Sequence, residues 1–119
     1  MTRAARSVFV FGIYLVATGL ILVAVPNGLL AVLRLAPTTE PWIRVLGVPI
    51  GVMGAFHIAA ARANVTAFFR WTLWGRTIAL VALASLVLLQ IAPPVLIVFG
   101  LVDAAGALWT RAALHEGVA

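Results

Sequence analysis

The sequence predicts an all-α protein in which four transmembrane helices form one integral membrane domain over residues 1–119. Apolar residues make up 65% of the chain, charged residues make up 9%, and the mean hydropathy is +1.20. A soluble domain of this size could not bury so much apolar surface. The apolar residues also fall into four nearly uncharged segments, each close to the length that crosses a bilayer. We therefore predict an up-down-up-down bundle.

The first helix is predicted over residues 7–26. It contains an apolar run of 18 residues without a charge, and Arg3 and Arg6 precede this run. A basic start and an apolar stretch also occur in signal peptides. We favour a transmembrane helix, because the run is long for a signal and no small-residue cleavage pattern follows it. The Pro-Asn-Gly sequence at 26–28 then ends the helix or kinks it into a short amphipathic piece.

The second and third helices are predicted over residues 41–62 and 66–92. Pro41 suits the first turn of a helix, and the second apolar segment ends at Arg62. The third segment opens with aromatic and basic residues in alternation, a pattern typical of the membrane interface. These residues are Phe68, Phe69, Arg70, Trp71, Trp74 and Arg76.

The fourth helix is predicted over residues 94–114, after a tight hairpin at Pro93-Pro94. A single helix from residue 77 to residue 114 would be about 57 Å long at ~1.5 Å per residue. That length is nearly twice the ~30 Å of a hydrocarbon core. A hairpin therefore fits a bilayer, and an unbroken helix does not.

The basic residues indicate how the chain is oriented in the membrane. The net charge is +5, and all eight basic residues are arginines. Six of them fall on the side of the termini and the middle loop: Arg3, Arg6, Arg62, Arg70, Arg76 and Arg111. Only Arg34 and Arg44 fall on the other side, so the positive-inside rule places both termini in the cytoplasm. We expect anionic lipid headgroups as counterions, and no nucleic-acid partner.

Several kinds of chemistry are excluded by residue content. Cys is absent, which excludes disulfides, zinc-thiolate sites and a cysteine nucleophile. The only serines are Ser7 and Ser85, and no Ser–His–acid set is plausible. The two histidines and few carboxylates lack the spacing of metal ligands, and no Gly-rich phosphate loop follows a strand. We therefore assign no catalytic residue and no metal site, and the cofactor is unknown.

Small residues predict where the helices meet, because lipid provides no hydrophobic drive for helix association. The second helix carries Gly47, Gly51 and Gly54, and the fourth carries Gly100, Ala104 and Ala107. Each set has helical spacing and forms one face. We predict that the second and fourth helices pack closely through these two faces. The alternative is that the glycine face of the second helix serves dimerisation.

Asp103 lies near the middle of the fourth helix, on the face of Gly100 and Ala107. Carboxylates inside membrane segments are costly, and they usually face a partner, a cavity or an ion path. Arg76 is the preferred partner, because an arginine side chain is long and binds a carboxylate in a fork. Arg44 is the rival, since it reaches from the opposite end of the second helix.

Three interpretations of Asp103 remain open. An ion pair would fix helix register or compensate two buried charges, a polar site would bind a headgroup or a proton, and an unpaired Asp103 would be neutral through desolvation. Two further polar residues face inward. His57 follows Gly54 by three residues, and Tyr14 shares a face with Thr18. We interpret His57 as a helix-facing hydrogen-bond donor, with a proton relay or a ligand contact as the alternative.

Three blocks of sequence carry a family resemblance: PWIRVLG at 41–47, FRWT at 69–72 followed by Gly75-Arg76, and DAAGALWT at 103–110. They resemble a group of small bacterial four-helix membrane proteins and, more broadly, DoxX-like proteins. The resemblance extends from about Phe11 to Leu114. It implies a helical bundle in a bacterial inner (plasma) membrane, and it groups Arg44, Arg76, Asp103, Trp109 and Thr110 in shared blocks.

Three functions compete on this basis. The first is a non-enzymatic membrane module that binds an apolar small molecule or lipid, or that serves as a small subunit of a membrane complex. The second is a dimeric proton-coupled small-molecule transporter that uses Asp103. The third, an enzyme acting on a membrane-dissolved substrate through Asp103 and His57, has no supporting spacing. We expect the first, with the lipid bilayer and a homo-oligomer or a larger complex as partners.

Overall fold

The computed structural model describes residues 1–118, with side chains described as far as Glu116, and every regular element in that range is helical. The α-helices are α1 (Arg3–Ala24), α2 (Pro26–Val32), α3 (Trp42–Arg62), α4 (Thr66–Leu88) and α5 (Ile97–Val118). A short 3₁₀ helix, Pro94–Leu96, precedes α5. Four of the helices, α1, α3, α4 and α5, are long and apolar enough to cross a membrane. The prediction of an all-helical chain with four such helices is confirmed.

The ends of the helices differ from the sequence expectation by a few residues. α1 begins at Arg3 because Thr2 caps it: the Ala5 amide donates to Thr2 Oγ1 at 3.0 Å. The chain after α1 forms the short helix α2, which has Pro26 in its first turn. α4 ends at Leu88, short of the predicted residue 92, and α5 continues past residue 114.

Three helices end at a non-glycine residue in the left-handed backbone region. These residues are Arg34 (φ 59°) after α2, Asn64 (φ 52°) after α3 and Gln90 (φ 61°) after α4. At Gln90, the amide bonds to the Val87 carbonyl at 3.0 Å, and the Ile91 amide reaches back to the Leu86 carbonyl at 2.9 Å. This pair of bonds is the Schellman motif. It satisfies the last carbonyls of α4 and explains why the helix ends before the proline pair.

The left-handed conformation of Gln90 leads to a first prediction. A residue with a Cβ in this conformation costs roughly 1–2 kcal/mol, and glycine avoids most of this cost. The Gln90 side chain is exposed, so its removal loses no packing. We expect Gln90→Gly to raise the free energy of unfolding by about 1 kcal/mol and Gln90→Val to lower it. Denaturant titration in mixed micelles measures both, and an unchanged or lowered value for Gln90→Gly would contradict the assignment.

Residue contacts divide the chain into two compact units. The first, residues Phe9–Ala59, contains most of α1, all of α2 and most of α3. A Cβ built on Gly54 would lie 2.6 Å from the Val16 amide nitrogen and 2.7 Å from the Gly12 carbonyl oxygen. These distances are below any normal contact, and the neighbouring atoms are backbone. In this unit, therefore, α1 and α3 touch backbone to backbone.

A second contact of the same kind lies two helical turns away. A Cβ on Gly47 would lie 2.7 Å from the Gly19 carbonyl oxygen, and one on Gly19 would lie 2.6 Å from the Gly51 amide nitrogen. A Cβ on Gly51, however, would meet only the Gly19 Cα, at 3.9 Å. Because Gly19 faces Gly47 while Gly12 faces Gly54, α1 and α3 run in opposite directions.

The predicted partner of the α3 glycine face is wrong. Gly47 and Gly54 were expected to face the fourth long helix, but they lie against α1. The physical reason is that α1 carries its own glycines, Gly12 and Gly19, spaced by seven residues. Two stripes without side chains let two backbones meet. Gly100 of α5 has a different neighbour, since its Cβ position lies 2.9 Å from Cδ1 of Leu80 on α4.

The second unit contains residues Met1–Val8 and the chain from Ala60 onward. It holds the start of α1, the end of α3, and the hairpin of α4 and α5. Its most buried side chains are Val8, Phe69, Ser7 and Thr110. At the ends of α1 and α5, the exposed side chains of Arg3 and Glu116 form an ion pair. Two of the buried side chains, Ser7 and Thr110, are polar.

Candidate functional site

A chain of hydrogen bonds runs through the interior of the second unit. Arg76, which is only 4% exposed, donates from Nη1 to Thr110 Oγ1 at 3.0 Å. Thr110 Oγ1 lies 2.8 Å from Ser7 Oγ, and Ser7 Oγ donates to the Ala4 carbonyl at 2.7 Å. A hydroxyl has one proton to donate. Because Ser7 uses its proton on Ala4, the proton between the two hydroxyls belongs to Thr110, and the chain has one direction, from Arg76 to Ala4.

Asp103 lies beside this chain. It is half-buried on α5, and its carboxyl group is within electrostatic range of the Arg76 guanidinium. Asp103 precedes Thr110 by seven residues, which places the two on one face of α5. Arg76 of α4 therefore donates to a hydroxyl of α5 and lies within electrostatic range of a carboxyl group two turns earlier on that helix.

Arg44, the rival partner for Asp103, has a different set of contacts in the first unit. Its Nη1 donates to the Val23 carbonyl and, at 3.2 Å, to the Ala24 carbonyl. These are the last carbonyls of α1, which have no partner within the helix. A cation is also favoured at the negative end of a helix dipole. Arg44 is thus a cap of α1, supplied from the first turn of α3.

His57 and Tyr14 lie in the first unit, and both rings are close to the ring of Phe11. The ring centroid of Phe11 lies 5.5 Å from each of their rings. His57 is buried, and its Nδ1 lies 2.7 Å from the Met53 carbonyl oxygen, one turn earlier in α3. That contact requires a proton on Nδ1, because a carbonyl can only accept. The ring of His57 is therefore held by α3 and packed against α1.

A groove lies between α4 and α5 in the second unit. It has an outer cavity of about 580 Å³ and an inner cavity of about 260 Å³. The outer cavity is lined by Arg70, Leu73, Leu108, Arg111, Ala112, Leu114 and His115. The inner cavity is lined by Leu73, Arg76, Thr77, Leu80, Ala104, Ala107, Leu108 and Arg111. Three residues line both cavities, so the two cavities are adjacent; we call them together the α4–α5 groove.

The two ends of the α4–α5 groove differ in chemistry. Arg70, Arg111 and His115 surround the outer cavity, and all three are exposed. The inner cavity is lined mainly by methyl and methylene groups. Ala104 and Ala107, predicted as packing residues, form part of its wall, and their small side chains leave the space open. A groove of this kind can hold a molecule that has one polar end and one apolar end.

Sequence reasoning named Arg76 and Asp103 but missed Ser7, Arg70 and Arg111 as parts of a site. Thr110 entered only through a family block. A local signal for Thr110 exists, because it follows Asp103 by seven residues. No local signal exists for Ser7, whose partner Thr110 is 103 residues away.

The groove and the four long helices define the class of this protein: a small helical chain of membrane-spanning length with an amphipathic groove in one hairpin. Among the described residues, no three His, Cys, Asp or Glu side chains come together as a metal site. Comparison of the chain with protein-family models, curated proteins and solved structures gives no match.

Proposed function

We propose that this protein is a non-enzymatic, multi-pass membrane module that binds an apolar or amphiphilic molecule in the α4–α5 groove. Its four long helices cross a bacterial inner membrane in up-down-up-down order, with both termini in the cytoplasm. The length and apolar character of the helices support the crossings. The uneven distribution of arginines supports the orientation, and the resemblance to DoxX-like proteins supports the location.

The observation that carries this proposal is that a basic outer cavity lies next to a mainly aliphatic inner cavity, with three lining residues in common. In a bilayer, a molecule with an apolar chain and a polar end is already aligned with such a groove. Arginine and aliphatic side chains can hold and orient this molecule without changing it covalently. Binding therefore accounts for the whole lining of the groove.

The proposal predicts that filling the inner cavity expels the bound molecule. Ala104 lines this cavity, whereas its neighbour Ala105 is exposed and does not. Ala104→Phe removes the space of at least two methylene groups, worth ~0.8 kcal/mol each, so occupancy falls about tenfold. Ala105→Phe, the matched control, retains the wild-type occupancy. Native mass spectrometry of protein released gently from its own membrane measures the bound mass.

Three results would contradict the proposal. Wild-type protein without any bound molecule would remove its basis. A defined assembly with other chains and an empty groove would identify a subunit of a membrane complex. A bare homodimer with proton-coupled flux, lost in Asp103→Asn while folding is intact, would identify the carrier instead.

A further inference from the structure

We propose that the ligand of the α4–α5 groove is an anionic phospholipid, with its phosphate between Arg70 and Arg111 and one acyl chain in the inner cavity. This inference rests on the proposed function and names the class of molecule that occupies the same groove. Three properties of the groove lead to it: the charge of the outer cavity, the level of that cavity along the helices, and the lining of the inner cavity.

The outer cavity is positive on both sides. Arg70 comes from α4, Arg111 and His115 come from α5, and among the described residues no carboxylate lines either cavity. The nearest acidic side chain along α5, Glu116, is ion-paired to Arg3. Two guanidinium groups facing one space suit a phosphate, which accepts paired N–H bonds from each. The ammonium group of a zwitterionic lipid would find no carboxylate among the described residues that line the outer cavity.

Exposed tryptophans mark the level of the outer cavity. Trp71 follows Arg70 directly and is 67% exposed, and Trp74, one turn further along α4, is 73% exposed. Trp109, two residues before Arg111, is also exposed. Tryptophan side chains concentrate where hydrocarbon meets headgroups. These rings therefore place Arg70 and Arg111 at the depth of lipid phosphates.

The inner cavity distinguishes a lipid from a free anion. It continues from the outer cavity past Leu73 and Leu108 to Leu80, along a wall of Ala104 and Ala107. Free phosphate would leave this apolar space unused, whereas an acyl chain fills it. Two charged groups, Arg76 and Arg111, line this cavity. Arg76 donates a hydrogen bond to Thr110, and the Asp103 carboxyl group lies within electrostatic range of it. The other lining residues, apart from Thr77, are aliphatic and suit an acyl chain.

The test is lipid selectivity of the full-length protein in nanodiscs that contain equal amounts of phosphatidylglycerol and phosphatidylcholine with identical acyl chains. Native mass spectrometry counts the lipids that stay bound. We expect wild-type protein to retain phosphatidylglycerol in preference. Arg70→Gln and Arg111→Gln each lower this preference about fivefold, which corresponds to the ~1 kcal/mol of one basic residue near an anionic surface. Both residues are exposed, and an unchanged unfolding midpoint verifies that each variant is folded.

The matched control is Arg62→Gln. Arg62 is an exposed arginine at the end of α3 and lies outside the α4–α5 groove. Its replacement leaves the preference unchanged if the groove selects the lipid. Equal losses in Arg62→Gln and Arg70→Gln would overturn the inference, since they would show a general effect of surface charge.

Further outcomes separate this inference from the proposed function. Retention of both lipids without preference, with Ala104→Phe still lowering occupancy, would overturn the anionic specificity and keep the groove as a binding site. Loss of all retained lipid from wild-type protein would overturn both. Displacement of the lipid by soluble glycerol phosphate at millimolar concentration would assign the outer cavity to a free phosphate. If the lipid stays bound in the presence of glycerol phosphate, the result supports a phospholipid as the ligand.

Discussion

Gly54→Ala is expected to lower the free energy of unfolding by about 2–3 kcal/mol, the upper range for overpacking a close contact. The new methyl group would lie 2.6 Å from the Val16 amide nitrogen and 2.7 Å from the Gly12 carbonyl oxygen. Neither atom can rotate away, because both belong to the backbone of α1. The two helices must separate, and separation loses the close packing that replaces the hydrophobic effect in lipid. Denaturant titration in mixed micelles measures the loss.

Two other glycines on long helices serve as controls. A Cβ on Gly51 meets only the Gly19 Cα at 3.9 Å, and a Cβ on Gly75 of α4 meets nothing within 4 Å. We expect Gly51→Ala and Gly75→Ala to leave stability unchanged or to raise it by up to ~1 kcal/mol, since alanine is the better helix former. A loss in Gly51→Ala as large as that in Gly54→Ala would contradict the described contact between α1 and α3.

The second large effect is expected for Thr110→Val, a substitution of nearly equal shape that removes one hydroxyl. Thr110 is fully buried and receives the hydrogen bond of Arg76 Nη1 at 3.0 Å. Without the hydroxyl, that donor and the oxygen of Ser7 both lose this partner. Hydrogen bonds to charged groups contribute roughly 1.5–3 kcal/mol, and an unsatisfied buried group adds its desolvation cost. We expect a loss of about 2–3 kcal/mol in the free energy of unfolding.

Two control variants, Thr77→Val and Thr110→Ser, test whether the missing hydroxyl causes the loss of stability in Thr110→Val. Thr77 is exposed on α4, and its hydroxyl donates only to the Leu73 carbonyl of the same helix at 2.7 Å. Thr77→Val should therefore change stability by less than ~0.5 kcal/mol. Thr110→Ser keeps the hydroxyl and should recover most of the stability. If Thr110→Ser were as unstable as Thr110→Val, keeping the hydroxyl would not preserve stability, and the hydrogen-bond chain would be contradicted as the origin of the loss.

Arg76 connects the buried chain to the groove. It donates to Thr110 on one side and lines the inner cavity on the other. Thr110 therefore holds the guanidinium group of Arg76 from the interior side, and the Asp103 carboxyl group lies within electrostatic range of it.

The exact end of a helix depends on backbone conformation, which residue types predict only in part. Pro93-Pro94 predicted the position of the hairpin, because proline cannot continue a helix. The end of α4 at Leu88 came from the left-handed conformation of Gln90 and its two backbone bonds. Glutamine is not a residue that marks this conformation. The sequence therefore located the turn, but the helix ends four residues earlier than the predicted residue 92.

The sequence by itself determined that the chain is helical, with four helices of membrane-spanning length. The mean hydropathy of a segment depends only on the residues within it, so membrane-spanning helices can be predicted from a local window of sequence. The sequence also showed that Asp103 and Arg76 are charged residues within apolar helices, where charges are costly. Tertiary structure alone decided which faces meet: that Gly47 and Gly54 meet α1, and that Ser7 joins Thr110. Small residues and hydroxyl groups occur on several helices in similar local patterns, so the sequence does not identify which two helices pack together. That choice depends on which two backbones can approach closely.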